Sequence, residues 1–127
     1  MKFRPKVLIV DDEANIRRAL SRVFNTRSYQ TTTVPSGSQA LSALAQDDFN
    51  LVISDLKMPG MNGIDLLSLV RERYPLTSQI LLSGNADIDD LDSAIGTCNI
   101  NYYISKPWSN TDLIAKVLVW GLWTAVS

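Results

Sequence analysis

The chain of 127 residues carries 12 basic and 13 acidic side chains, a formal net charge of -1 and a hydrophobic fraction of 46%. These values predict one globular domain with its own core, and they give no basic surface of the kind that binds nucleic acid. The sequence contains one cysteine and no histidine, which excludes an internal disulfide, histidine-ligated metals and every Ser–His or Cys–His catalytic pair.

Three consecutive acids lie between the first predicted strand and the first predicted helix. Lys6–Val10 is a continuous apolar strand that ends before Asp11, Asp12 and Glu13. Its apolar run is too short for a signal peptide or a membrane span, so we expect a cytoplasmic protein without membrane contact. The next helix has an apolar stripe at helical spacing, with arginines on its other side; the stripe is Ile16, Ala19, Leu20, Val23 and Phe24, and the arginines are Arg17, Arg18 and Arg22.

The third predicted strand ends on an aspartate. After a strand over Tyr29–Val34 and a helix from about 38 to 46, the apolar run that starts at Leu51 stops at Asp55. Two turn dipeptides, Pro59-Gly60 and Asn62-Gly63, mark the segment after it as a loop. Asp55 is therefore predicted at the carboxyl end of an interior strand, the edge of an open α/β sheet at which ligands bind.

The rest of the chain repeats this alternation twice. Predicted helices and strands follow one another, and polar residues again come directly after each strand. In chain order they are a helix over Ile64–Tyr74, a strand over Gln79–Leu82 before Ser83-Gly84, a helix from about 87 to 97, a strand over Tyr102–Ser105 before Lys106-Pro107, and a helix that opens at Asn110.

Five strands that alternate with five helices predict an α/β fold, a doubly wound parallel sheet with helices on both faces. Because parallel strands share one carboxyl edge, polar residues after four of the strands should meet there. They are Asp11, Asp12, Asp55, Ser83 and Lys106.

This set of side chains is suited to phosphoryl chemistry. Three close carboxylates repel one another by roughly 1–4 kcal/mol per pair at about 4 Å, so they must hold a proton or bind a cation. An open, all-oxygen site suits Mg²⁺. Lys106, the Ser83 hydroxyl and backbone N–H groups of the loops can hold an anion beside Asp55. Any one of these residues alone could be a cap, a turn residue or a surface charge; the combination favours a carboxylate that accepts a phosphoryl group.

Four motifs in order, VLIVDDE, LVISDLKMPGMNG, ILLSG and YYISKPW, resemble the receiver domain of bacterial two-component response regulators. The resemblance covers the whole chain, residues 1–127, and implies a flavodoxin-like (βα)5 fold with strand order 2-1-3-4-5. It also implies that Asp55 accepts a phosphoryl group from a phosphohistidine on a sensor histidine kinase or phosphotransfer protein. The missing histidine fits, since the donor histidine belongs to the partner.

The resemblance assigns the remaining roles residue by residue. It implies that Mg²⁺, or Mn²⁺ in its place, is bound by Asp12, Asp55 and the main-chain carbonyl of Lys57, with Asp11 acting mostly through water. Lys106 pairs with the phosphoryl oxygens, and main-chain N–H groups at Lys57 and Gly84 add donors. The resemblance also implies that two switch residues, Ser83 and Tyr103, then move inward. It further implies that the Lys106–Pro107 peptide bond is cis.

Two other functions stay open. An aspartyl hydrolase on a parallel sheet needs a second aspartate two residues after the first, where this chain has Lys57. A phosphorylation-independent interaction module would normally have lost an acid or the lysine, and this chain keeps them all.

The output is expected outside the receiver itself. Residues after Val117 form an apolar run that includes Trp120 and Trp123, so we expect a longer response regulator whose N-terminal part this is. Phosphorylation should reshape the surface formed by the fourth predicted helix, the fifth strand and the last helix. We expect this surface to contact an output domain, or to form a homodimer through the last helix. The YISKPW motif resembles receivers attached to HD-type phosphodiesterase or kinase modules.

Overall fold

A five-stranded parallel sheet forms the centre of the protein. The computed structural model describes residues 4–25, 29–84, 102–106 and 108–116. The strand order is β2-β1-β3-β4-β5, as expected, and each strand pairs in parallel with its neighbours. The strands are β1 Lys6–Val10, β2 Gln30–Val34, β3 Leu51–Asp55, β4 Ser78–Ser83 and β5 Tyr102–Ser105.

Four described helices connect or follow these strands: α1 Ala14–Asn25, α2 Gly37–Gln46, α3 Gly63–Arg73 and α4 Asn110–Lys116. Two begin at polar caps that accept a main-chain N–H, Ser36 Oγ from Gln39 at 3.2 Å and Asn62 Oδ1 from Asp65 at 2.8 Å. These caps start α2 and α3 one residue before the predicted bounds. The helix predicted from 87 to 97 lies outside the described residues. Within the described part of the chain, no helix is long and apolar enough to cross a membrane.

Alternate residues of the strands feed two separate cores, one on each face of the sheet. On one face Ile9, Ile53 and Leu82 pack with side chains of α1 and α4, such as Phe24 and Leu113. The other face packs against α2 and α3 through a second buried cluster, which includes Leu8, Val10, Val52, Ala40, Leu44, Leu66, Leu67 and Val70. The sheet is therefore covered by helices on both sides, which confirms the doubly wound fold.

Candidate functional site: an acidic cluster at the carboxyl edge of the sheet

Three aspartates meet at the carboxyl ends of β1 and β3. Ligand oxygens of Asp11, Asp12 and Asp55 all lie within 4.8 Å of one another. Asp11 is fully buried and Asp55 is 6% exposed, whereas Asp12 is exposed. The cluster therefore has two carboxylates fixed in the protein and a third that faces solvent.

Lys106 closes the cluster from β5. Its Nζ donates to Asp55 Oδ1 at 3.0 Å and to Asp11 Oδ2 at 3.4 Å. The main-chain N–H of Lys106 also donates to the carbonyl of Ser83 at 2.8 Å, which extends the pairing of β5 with β4 by one residue. The lysine is thus held at the edge by its backbone and reaches both buried acids with one ammonium group.

Burial and charge act in opposite directions on these two partners. Burial raises the pKa of Asp55 above its ordinary value, and the charge of Asp11 adds to this, while the hydrogen bond from Lys106 opposes it. Burial works against the charge of Lys106, but its bonds to Asp55 and Asp11 outweigh this and raise the lysine pKa. The two acids therefore stabilise the charged form of Lys106, and further positive charge beside Asp55 would stabilise its ionised form.

The Ser83 side chain is buried at the end of β4, at the same edge of the sheet as the cluster. It is 1% exposed, and among the described residues its Oγ is the buried side-chain polar atom that has no hydrogen-bond partner in the protein. Buried hydroxyls are normally paired, so this one has a donor to offer to a group that enters the site. Gly84 follows it and is partly buried.

Two backbone features fix the position of Asp55. The N–H of Leu56 donates to the Leu82 carbonyl, and the N–H of Gly63 donates to the Leu56 carbonyl, both at 2.9 Å. A Cβ on Gly63 would lie 2.2 Å from the main-chain oxygen of Asp55, so the first turn of α3 approaches the acid closely because this residue has no side chain. The sequence pattern Asn62-Gly63 predicts only a turn at this position.

The turn between β1 and α1 contains a contact that helical periodicity does not predict. Helical spacing predicts Arg17 on the outer face of α1, but the side chain is partly buried and its Nη1 donates to the Asp11 main-chain oxygen at 2.6 Å. The Glu13 N–H also donates to Asp11 Oδ1 at 2.9 Å. The signal that could have shown this is the position of Arg17, one turn into a helix that begins directly after the acids.

The other predicted site residues are described in part. Lys57 is exposed in the loop two residues after Asp55. Tyr103 lies in β5 opposite Leu81, and its side chain lies outside the described part. Pro107, and with it the predicted cis bond, also lies outside the described residues.

The donor set of the cluster fits a hard divalent cation. Its side-chain ligands are all carboxylate oxygens, and exposed Asp12 leaves one side open to solvent. Mg²⁺ favours oxygen ligands and keeps several waters, so an open site with few protein ligands suits it better than it suits a soft metal.

Comparison with known proteins agrees with this architecture. Residues 7–118 match the family described as "Response regulator receiver domain". The chain is 35% identical over 111 residues to the "Hydrogenase transcriptional regulatory protein HoxA" of Cupriavidus necator, a match that covers 87% of this chain and 23% of that protein. It is 37% identical to the "Response regulator protein FleR" of Pseudomonas aeruginosa, covering 87% of this chain and 24% of that protein.

A solved structure is similar over nearly the whole chain. The signal receiver domain of an HD domain-containing protein from Pseudomonas fluorescens Pf-5 has a TM-score of 0.92 and 31% identity, covering 98% of this chain and 100% of that one. The chain spans about a quarter of the length of the curated relatives HoxA and FleR. Its fold and the family match over 7–118 show that this chain belongs to the receiver domains of bacterial two-component response regulators.

Proposed function

We propose that this receiver accepts a phosphoryl group on Asp55 from a phosphohistidine of a sensor histidine kinase or phosphotransfer protein. The observation that carries the proposal is the pair of bonds from Lys106 to Asp55 and Asp11, which puts a cation next to a buried, strand-end carboxylate. A structural ion pair would not need the third acid, Asp12, whose oxygens lie within 4.8 Å of the others.

In the proposed step, an Asp55 carboxylate oxygen attacks the phosphorus of the donor in line with the bond that breaks. A phosphorus–oxygen bond to Asp55 forms, the phosphorus–nitrogen bond to the donor histidine breaks, and its electron pair stays on the imidazole. Lys106, already 3.0 Å from Asp55, then donates to a phosphoryl oxygen instead. The product is an aspartyl phosphate, which water later hydrolyses; this segment is a phosphoacceptor and not a turnover enzyme.

The cation of the site would be Mg²⁺, with Mn²⁺ able to replace it. Asp12, Asp55 and the main-chain carbonyl of Lys57 would bind it directly, and Asp11 mostly through water. Bound there, it neutralises negative charge on the transferred group. The solvent-facing position of Asp12 supports this arrangement, because a shared shell of water and phosphate oxygens needs an open side.

Further donors would hold the phosphoryl group. The Ser83 hydroxyl, unpartnered within the described protein, can donate to it, and main-chain N–H groups of Lys57 and Gly84 lie in the two loops that follow β3 and β4. A shift of Ser83 toward the phosphate is the proposed first movement of the switch, with Tyr103 following.

An apolar cleft beside Lys106 offers a place for the donor protein. It has a volume of about 430 Å³ and is lined by Ile16, Ala19, Lys106 and Trp108. A helix that carries the phosphohistidine could dock its apolar side here and bring the phosphoryl group to the acidic cluster. In this proposal the partner of the site is a protein, and this segment binds neither nucleic acid nor a membrane.

The response would pass to the rest of a longer regulator or to a second copy. HoxA is named as a transcriptional regulator, and the similar structure comes from an HD domain-containing protein, so relatives of this receiver serve different outputs. We infer a C-terminal output domain or a homodimer through the last helix, with the surface around β5 as the part that changes.

The Mg²⁺ dependence of phosphorylation tests the proposal. The protein is incubated with a small acyl-phosphate donor, with Mg²⁺ or with a chelator, and intact mass is measured over time. We expect one phosphoryl adduct that forms only with the cation and much more slowly in Asp12→Ala. Absence of an adduct under all conditions would favour the phosphorylation-independent module, and continuous turnover of many donors would favour a hydrolase.

A further inference from the structure

Two neighbouring arginines of α1 make different contacts. Arg17 Nη1 donates to the Asp11 main-chain oxygen at 2.6 Å, while Arg18 Nη2 donates to Asn15 Oδ1 at 2.5 Å and is exposed. The two side chains have the same length and charge. The contact of Arg17 reaches the acidic cluster, whereas that of Arg18 stays within the first turns of the helix.

The oxygen that Arg17 binds belongs to the peptide group that joins Asp11 to Asp12. That peptide is planar, so a hydrogen bond to its oxygen also fixes the direction in which the chain enters Asp12. On the Asp11 side, the N–H donates to Val34 at 3.2 Å, and Oδ1 accepts from Glu13 at 2.9 Å. Asp12 itself is exposed, so its orientation depends on this backbone more than on packing around its side chain.

We propose that Arg17 is a positioning residue for the divalent cation: it holds the Asp11–Asp12 peptide so that the Asp12 carboxylate faces the site. This inference rests on the proposed metal site. Groups that orient metal ligands through hydrogen bonds commonly change metal affinity by 10- to 100-fold when they are removed. The direction in which Mg²⁺ affinity changes is informative, because a guanidinium near the metal ion repels it. Loss of charge alone would tighten Mg²⁺ binding, whereas loss of the positioning contact weakens it.

The test compares Arg17→Met with Arg18→Met. Both remove one positive charge from the same helix and keep an unbranched side chain of good helix propensity. Mg²⁺ affinity is measured by titration of tryptophan emission and checked by Mn²⁺ binding in electron paramagnetic resonance. The temperature is one at which circular dichroism shows every variant to be folded. We expect Arg17→Met to bind Mg²⁺ about tenfold more weakly than the wild type and Arg18→Met to stay within about twofold.

Two further variants separate the possible failures. Arg17→Lys restores a charged donor, and we expect it to recover part of the affinity that Arg17→Met loses. Equal affinities in the two methionine variants, tighter binding in Arg17→Met, or weaker binding in Arg17→Lys than in Arg17→Met would each overturn the role of Arg17. If Asp12→Ala also leaves Mg²⁺ affinity unchanged, the proposed metal site itself is wrong; if Asp12→Ala weakens it, only the role of Arg17 fails.

Discussion

Gly63 offers a sharp test of how Asp55, the proposed phosphoacceptor, is positioned. A Cβ at this residue would lie 2.2 Å from the Asp55 oxygen, 2.9 Å from the Asp55 carbonyl carbon and 3.0 Å from Leu56 Cα, all of them backbone atoms. An ordinary contact begins near 3.4 Å, so Gly63→Ala requires the Asp55 peptide or the start of α3 to move by about 1 Å.

The expected cost can be estimated from a matched glycine. Gly37 is likewise the first residue of a helix, and a Cβ there would meet three side-chain atoms of Met61, the Sδ at 2.9 Å, the Cβ at 3.1 Å and the Cγ at 3.2 Å. The flexible thioether can turn away, and the contact with the Cβ needs a shift of only a few tenths of an ångström. Replacing either glycine with alanine stabilises the folded state by about 0.5–1 kcal/mol, because alanine loses less backbone freedom on folding than glycine does. Backbone displacement at Gly63 should outweigh this gain, since overpacking typically costs 1–3 kcal/mol. We expect Gly63→Ala to lower the free energy of unfolding by about 0.5–2 kcal/mol, and Gly37→Ala to change it by less than about 1 kcal/mol.

Urea denaturation followed by circular dichroism measures the free energy of unfolding of each variant. Initial rates with a small acyl-phosphate donor measure how fast each variant is phosphorylated. A shift of about 1 Å at a reacting group can slow a reaction about 100-fold, so phosphorylation of folded Gly63→Ala should be strongly slowed. If Gly63→Ala is as stable and as reactive as Gly37→Ala, the close approach of α3 does not position Asp55.

Three further changes test other parts of the site and fold. Lys106→Met leaves two buried carboxylates without their cation, so it should destabilise the metal-free protein by about 1–3 kcal/mol, and added Mg²⁺ should recover part of this; equal stability of mutant and wild type in denaturation without metal would contradict it. Lys57→Ala should change the rate of autodephosphorylation, because Lys57 is exposed in the loop two residues beyond Asp55, where its long side chain can limit the approach of water; loss of the adduct mass over time measures this, and identical rates would remove the role. The Lys6 hydrogen bond lowers the pKa of Asp47 from 3.8, so this exposed pair stabilises the fold above that pH and loses its effect as the pH falls below it. Carboxyl resonances in a nuclear magnetic resonance titration should show the Asp47 pKa rising in Lys6→Met, and an unchanged value would show that the contact does not persist in solution.

The strands and the edge at which the acids meet were predictable from local patterns. Continuous apolar runs such as Leu51–Ile53 are typical of strands buried on both faces. Because such strands alternate with helices along the chain, the pattern predicts a parallel sheet. Because every parallel strand ends at the same edge, the order of residues alone brings Asp55 and Lys106 together although 51 residues separate them.

The contacts of individual side chains were less predictable. Helical periodicity places Arg17 on the polar face of α1 but does not show that its long side chain returns to the Asp11 carbonyl. The unequal burial of Asp11 and Asp12 depends on the turn after β1, which hydropathy does not describe. The tight approach at Gly63 is likewise a property of the packed structure, since Asn62-Gly63 reads only as a turn.

The most direct test of the central claim is the site of phosphorylation. Wild type, Asp55→Asn and Asp48→Asn are treated with a small acyl-phosphate donor and Mg²⁺, and the phosphoryl adduct is quantified by intact mass. Asp48 is an exposed acid in the segment between α2 and β3, away from the cluster, so its variant controls for the loss of one carboxylate. We expect a stoichiometric adduct on the wild type and on Asp48→Asn, and none on folded Asp55→Asn; a stoichiometric adduct on Asp55→Asn would show that Asp55 is not the acceptor.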